Sequence, residues 1–366
     1  MTARRIVVKV GSSTVAGDGG IRRDFVASLA KQVAELAAVG SQVVIVSSGA
    51  IAAGLERLGL AERPVDMPGL QAAASVGQVA LIEAYSEMLA EKGLVAGQVL
   101  LTRNDTGHRE SFLHARDTFE RLLGLGAVPV VNENDTVAVD EIRFGDNDTL
   151  AALVATMVNA DLVVLLSDID GLYDADPRLS SEANLLEQVD ELTDDLVAAA
   201  GGSGTAVGSG GMATKIEAAN VLMKAGIPMV ICDGRKERAV VDAAEGKVVG
   251  TTFDGGEGTL GARKLWIALG RKPAGEVVID DGACVALRER NTSLLPAGVT
   301  AVRGAFEPGD VVALVDASGC IVAKGLSEMS SGDVERVKGL KSSQISEVVP
   351  AIARGPVVHR DSLVVL

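Results

Sequence analysis

Residues 128–149 read VPVVNENDTVAVDEIRFGDNDT. The β-prone run 128–131 ends in Asn132-Glu133-Asn134-Asp135, and a second polar cluster, Gly145-Asp146-Asn147-Asp148, follows a short β-prone segment. Either cluster alone reads as a turn, because Asn and Asp side chains close local hydrogen bonds with their own backbone. Two clusters flanking one hairpin-like run, directly after a buried strand, point instead to a polar site at the end of a sheet. Carboxylates there can hold an ammonium group, and amide nitrogens can donate to a carboxylate.

Working outward, strands and helices alternate on both sides. Residues 6–10 form an apolar run that ends in Gly11-Ser12-Ser13. Asp24 is then expected to cap an amphipathic helix carrying Val26, Leu29, Val33 and Leu36 at helical spacing, which Gly40 ends. Residues 43–46 are uninterrupted β-branched sequence, the mark of a strand buried on both faces of a parallel sheet, and run into Ser47-Ser48-Gly49. Helices follow over about 70–91 and 110–123, with a strand at 98–101 between them. Beyond the opening stretch come a helix from about Thr149, a strand at 162–166, a glycine-rich loop at 201–211, a helix at 212–224 and a strand at 227–231. This is the pattern of an α/β domain with a doubly wound, mainly parallel sheet. Ligands of such sheets gather at the carboxyl ends of the strands, where Lys9, Gly11, Ser48, Asn132, Ser167 and Asp168 all fall.

The composition changes after Phe253. Residues 254–273 are rich in glycine and charge, include Trp266, and read as a connector. From Ala274 onward, short β-prone runs at 277–279, 284–287, 311–315, 321–323 and 357–358 are split by Gly and Pro, which predicts a small β-rich barrel. The expected division is a first domain over 1–262, a linker over 263–273 and a second domain over 274–366.

At 366 residues the chain exceeds the size at which a single core keeps growing, in keeping with two domains. No apolar run approaches the ~18 residues of a membrane span, and the N-terminus enters a strand without a signal-peptide pattern, so a cytoplasmic protein without membrane association is expected. Cys232, Cys284 and Cys320 are far apart in apolar surroundings and read as buried thiols, neither disulfides nor zinc ligands. The three histidines are too scattered for a metal cluster, so no metal-ligating side chains are assigned. A net charge of −15 argues against nucleic-acid backbones and anionic lipid as partners. It also means that an anionic substrate must be met by a few placed cations.

Two lysines stand out. Lys9 lies inside Val7-Val8-Lys9-Val10, where a charge is costly unless it is paired or its head reaches a site. Lys215 follows Gly210-Gly211-Met212-Ala213-Thr214 at a helix start, where backbone N–H groups and the helix dipole favour phosphate. The spacing is not that of a Walker A loop. No histidine lies near these elements, which suits a carboxylate nucleophile: it needs no general base, only positioning and neutralisation of the transferring charge.

The runs 7–12 (VVKVGS), 46–54 (VSSGAIAAG), 132–135 (NEND), 145–148 (GDND) and 210–215 (GGMATK) resemble the glutamate 5-kinases of the amino acid kinase superfamily. The tail from Ala274 resembles the PUA domain that bacterial members carry. The resemblance implies ATP- and Mg2+-dependent phosphorylation of the side-chain carboxylate of L-glutamate, the first step toward proline. It implies that Lys9 and Lys215 stabilise the transferring phosphoryl group while Asp148 orients them. Ser48, Asp135 and Asn147 match glutamate-binding positions, with Asn132 and Asn134 as supports. Lys9, Gly11, Ser167-Asp168 and the segment Ser209, Gly210, Gly211, Met212, Ala213, Thr214 and Lys215 match nucleotide-binding positions. At Ser167 and Ser209 the family pattern leads one to expect Thr; the hydroxyl is retained. Proline as feedback inhibitor and a homo-oligomer, dimer or tetramer, are implied in the same way.

Two rival readings can be weighed. PUA domains often bind RNA, but residues 274–366 hold 9 Lys and Arg against 12 Asp and Glu, a net of −3, with Phe306 as the lone aromatic. Such a tail is poorly suited to backbone tracking or base stacking, so a structural or regulatory role is expected. Superfamily kinases for acetylglutamate, aspartate or carbamate are the other rival. A carboxylate at Asp135 suits a free α-ammonium and is wasted on an acylated one.

Overall fold

The computed structural model describes residues 4–17, 20–102, 109–137, 147–175, 182–193, 196, 211–256, 267, 273–290, 292–340, 344–345 and 355–365. The chain divides into two compact units, Met1–Thr259 and Leu260–Leu366. Among the described residues no helix is long and apolar enough to cross a membrane.

In the first unit the strands are β1 (Arg5–Val10), the short pair β2 (Ala16–Gly17) and β3 (Gly20–Ile21), β4 (Gln42–Ser47), β5 (Val95–Leu101), β6 (Ala127–Glu133), β7 (Leu162–Ser167), β8 (Gln188–Val189), β9 (Met229–Asp233) and β10 (Thr251–Phe253). Eight of them form one sheet in the order β5-β6-β4-β1-β7-β9-β10-β8. The pairs from β5 through β9 are all parallel, and β10 runs antiparallel to β9. The β-branched runs of β1, β4 and β7 occupy the middle, where both faces are covered, and their Val and Ile side chains are buried. The helices are α1 (Ser12–Val15), α2 (Arg23–Ala38), α3 (Ala50–Leu58), α4 (Met67–Ala90), α5 (Arg109–Gly124), α6 (Asn147–Met157), α7 (Met212–Ala225) and α8 (Ala239–Ala244). The main core joins β1, β4 and β7 to the apolar stripes of α2, α4 and α8.

Several local expectations are corrected. Asp24 does not cap α2: the cap position is Arg22, without a side-chain hydrogen bond, and Asp24 stands in the first turn, where an acid favours the helix dipole. The helix expected near Thr149 begins at Asn147, so Asn147 and Asp148 are helical residues rather than loop residues. The β-prone segment 138–144, with Gly145 and Asp146, lies outside the described residues, as do most of the glycine loop and Trp266.

The second unit is a five-stranded sheet, β11 (Gly275–Ile279), β12 (Val299–Gly304), β13 (Val311–Val315), β14 (Ile321–Ser327) and β15 (Val358–Val365), in the order β12-β11-β13-β14-β15, with helices α9 (Asp281–Arg290) and α10 (Ser331–Val337). The expected strand 284–287 is part of α9. A four-residue apolar run carries no period of its own, and Asp280 Oδ1 accepts from Ala283 N at 2.7 Å to start the helix. Phe306 is buried in this unit's core, 2% exposed, and offers no stacking face. Of the three thiols expected to be buried, Cys232 is buried, Cys284 is half-buried and Cys320 is exposed; all three are free. Cys320 sits at a hairpin turn closed by Asp316 Oδ1, which accepts from the backbone N–H groups of Ser318 and Cys320.

Candidate active site

The polar residues of the sequence motifs meet at the carboxyl ends of β1, β4, β6 and β7. β1 lies between β4 and β7, with Lys9 level with Val46 on one side and Leu165 on the other. Lys9 is therefore on a central strand, not an edge, and it is 6% exposed. Its charge is met by Asp148, whose Oδ1 lies 2.5 Å from Lys9 Nζ. Asp148 Oδ2 lies 3.0 Å from Lys215 Nζ at the start of α7. Asp148 and Lys215 are 1% and 5% exposed. Isolated burial of such charges costs several kcal/mol per ion, so none of the three is tolerable alone. Burial works against the ionised Asp148, but Lys9 and Lys215 outweigh it and hold the carboxyl below its usual range. The triad keeps one net positive charge, which suits an incoming anionic group.

Thr214 belongs to the same cluster. Its Oγ1 lies 2.9 Å from Asp148 Oδ2 and 2.9 Å from the carbonyl oxygen of Gly211, so its single proton is shared between the carboxylate and the turn that starts α7. Gly211 is the N-cap of α7 and provides no capping side chain, and no acidic residue stands in the first turn. The N–H groups of Met212 and Ala213 thus open a helix terminus suited to phosphate oxygens. Ser209 and Gly210 lie outside the described residues. Gly11 N donates to Leu166 O at 3.2 Å, holding the turn after β1 against the end of β7. Ser167 Oγ lies 3.2 Å from Asp168 Oδ1 at that same end.

A second cluster lies beside the first. Asn147 Nδ2 donates to Ser48 Oγ at 2.7 Å and to Asn132 Oδ1 at 3.1 Å. Asn132 Nδ2 in turn donates to Gln78 Oε1 at 2.8 Å. Ser48 is aimed by a sharp turn: Gly49 has a φ of 102°, and a Cβ there would lie 2.6 Å from Val15 Cγ1. Below it, the buried hydroxyls of Ser47 and Tyr85 meet at 3.0 Å. Asp135 follows β6 in a turn, and burial pushes its carboxyl up to about 6 although Arg63 pulls it down. Asn134 is used locally: its Oδ1 accepts from Thr136 Oγ1 at 2.5 Å and its backbone N–H bonds Leu101 O.

Lys9, Asp148 and Lys215 thus assemble as one group, and Ser48, Asn132 and Asn147 as another, joined through the adjacent positions 147 and 148. Gln78, Tyr85 and the hydroxyl role of Thr214 escaped the sequence reading. Gln78 and Tyr85 lie within a long helix whose period marks only which face is buried, and no local signal distinguishes them.

The chain matches the amino acid kinase family over residues 4–233 and the PUA domain over residues 275–349. It is 47% identical over 364 residues to a protein of Geobacter sp. (strain M21) described as glutamate 5-kinase, covering 99% of this chain and 98% of that one. Proteins with the same description from Caldanaerobacter subterraneus subsp. tengcongensis and Methylobacillus flagellatus are 45% and 46% identical over 363 and 367 residues, covering 99% and 100% of this chain and 98% and 99% of theirs.

Proposed function

The chain belongs to the amino acid kinase family, and from that premise we propose how its site divides the work of transferring a phosphoryl group from ATP to a carboxylate. The activity is ATP-dependent phosphorylation of the side-chain carboxylate of L-glutamate, giving L-glutamyl 5-phosphate on the route to proline. The observation that carries the assignment is the buried Lys9–Asp148–Lys215 triad.

Chemically, the γ-carboxylate of glutamate attacks the γ-phosphorus of ATP, the bond to the bridging oxygen breaks, and ADP leaves with that electron pair. The attacking carboxylate is already ionised, so no base is required, in keeping with a site that rests on cations and amides. Lys9 and Lys215 neutralise the negative charge on the transferring oxygens, and Asp148 holds both ammonium groups in place between turnovers. The open start of α7, with Gly11 and the Ser167-Asp168 turn, takes the nucleotide, to which the preceding Ser209 and Gly210 are assigned by sequence motif alone. Mg2+ would enter with the nucleotide's phosphates and supply further positive charge to the transferring group. Among the described residues Asp148 is the one fully buried carboxylate, and its oxygens are committed to Lys9, Lys215 and Thr214.

Glutamate's α-ammonium is met by Asp135 and the carbonyl of Asn147, and its α-carboxylate by the hydroxyl of Ser48, with Asn132 and Asn134 supporting. Proline offers the same pair of head groups without a side-chain carboxylate and competes for this subsite. The protein works as a cytoplasmic homo-oligomer, and residues 1–262 and 274–366 act as its catalytic and accessory domains.

The test is ADP release over a panel of L-glutamate, N-acetylglutamate and L-aspartate, with and without proline. Glutamate is expected to lead, with proline raising its KM. Faster turnover of N-acetylglutamate than of glutamate would overturn the role given to Asp135.

A further inference from the structure

The hydrogen bonds around Asn147 have a direction that can be traced from the main chain. Asn147 Nδ2 lies 3.3 Å from the carbonyl oxygen of Ser47. A carbonyl oxygen only accepts, so this end of the Asn147 amide is its NH2 group. The same nitrogen lies closer to Ser48 Oγ, at 2.7 Å, and to Asn132 Oδ1, at 3.1 Å; its two protons go to these two acceptors, and the Ser47 carbonyl shares one of them at longer range. Asn132, having turned its oxygen toward Asn147, presents its NH2 group to its other neighbour. That neighbour is Gln78 on α4, whose Oε1 lies 2.8 Å away. A polarity set by one backbone carbonyl thus runs through Asn147 and Asn132 and terminates at Gln78.

The direction matters at the open end of the network. Ser48 Oγ uses a lone pair on Asn147, which leaves its own proton to donate to a carboxylate. Asn147 keeps Oδ1 as an acceptor for an ammonium group. Reversing Asn132 would set two NH2 groups face to face and press Asn147 to turn, exchanging donor for acceptor where the amino acid head is bound.

We propose that Gln78 is a positioning residue for the glutamate subsite: by accepting from Asn132 it locks the amide orientations that make Ser48 a donor and Asn147 an acceptor. The proposal rests on the reading of this cluster as the glutamate site. Gln78 acts through Asn132 and is only half-buried, so the helix carrying it tolerates replacement.

The experiment uses the full-length chain with Gln78→Met, Gln78→Lys, Asn132→Ala and the double variant Gln78→Met with Asn132→Ala. Glutamate and ATP are varied separately, and thermal melts are recorded. Gln78→Met is expected to raise the KM for glutamate about tenfold, the order expected when a buried amide loses its acceptor, with kcat and the KM for ATP within about twofold. Gln78→Lys, which offers a donor where Asn132 needs an acceptor, should raise it at least as far. In the Asn132→Ala background Gln78→Met should add almost nothing, because the two act as one unit. An unchanged KM in either Gln78 variant, fully multiplicative effects in the double variant, or equal losses for ATP and glutamate would each overturn the proposal. If the unaltered chain shows no glutamate-dependent ADP release, the functional assignment fails instead, and the two failures are distinguishable.

Discussion

Asn147 and Asp148 are adjacent in the chain, yet their side chains serve separate sets of partners. Asn147 Nδ2 donates to Ser48 Oγ at 2.7 Å, while Asp148 takes Lys9 at 2.5 Å and Lys215 at 3.0 Å. Successive residues of a helix point about 100° apart, so the first turn of α6 faces two clusters at once. Starting the helix at Asn147 rather than at Thr149 is what creates this division.

Substitution should therefore separate turnover from binding. Asp148→Asn leaves two buried ammonium groups without a counter-charge and is expected to lower kcat about a hundredfold or more, with the KM for glutamate within about threefold. Asp135→Asn should raise that KM about tenfold with little change in kcat. Steady-state kinetics showing the reverse pattern would require the two roles to be exchanged or withdrawn.

The raised carboxyl of Asp135 gives a pH signature. Glutamate capture needs the ionised form, so kcat/KM for glutamate should fall as pH drops through about 6. The sign for folding is opposite. With its value moved from 3.8 to about 6, the folded state binds the proton more tightly than the unfolded one, so this group's contribution to stability is lost as pH rises across that interval. Melting curves should show Asp135→Asn gaining stability relative to the parent at pH 7 but not at pH 4. Glutamate should stabilise the parent more at pH 7 than at pH 5.

Lys9→Met and Lys215→Met should each abolish measurable glutamate-dependent ADP release. Because both act on one transferring group through one carboxylate, the double variant should be little worse than either single one. Near-normal turnover in either variant would remove that lysine from the phosphoryl clamp.

Thr214→Val deletes the hydroxyl that joins Asp148 to the Gly211 turn. A fall in kcat of about tenfold is expected, the size of one hydrogen bond to a charged group, and Thr214→Ser should restore most of it. Equal losses in the Val and Ser variants would mean that the side chain serves packing alone.

The scaffold under Ser48 depends on a close helix crossing. A Cβ added at Gly77 of α4 would lie 1.7 Å from the carbonyl oxygen of Ala50 in α3. Gly77→Ala must push the helices apart and is expected to cost about 3 kcal/mol or more, read as a lower denaturation midpoint. Since α3 begins just after Ser48, the variant should also raise the KM for glutamate.

The sequence by itself determined the order of strands and helices, the central place of the β-branched runs and the polar clusters at their ends. Those features follow from residue spacing and from glycine and Asx chemistry, which act over a few neighbours. It also marked Lys9, as a charge inside an apolar run, Lys215, as a cation at a glycine-led helix start, and Asp148, as part of a polar cluster matching the family pattern. Beyond the meeting of Lys9, Lys215 and Asp148 that the family resemblance implied, it did not reveal which side chains meet or why. Lys9 and Lys215 converge on Asp148 because β1 is flanked by β4 and β7, a pairing over long sequence separations that no local pattern encodes. Gln78 and Tyr85 come to the site through α4, which packs tightly on α3, and the helical period that buries Tyr85 and half-buries Gln78 says nothing of what they bond. The start of α6 was misplaced by two residues since Asn and Asp suit a turn and a first helical turn alike, and only the bonds to Ser48, Lys9 and Lys215 resolve that ambiguity.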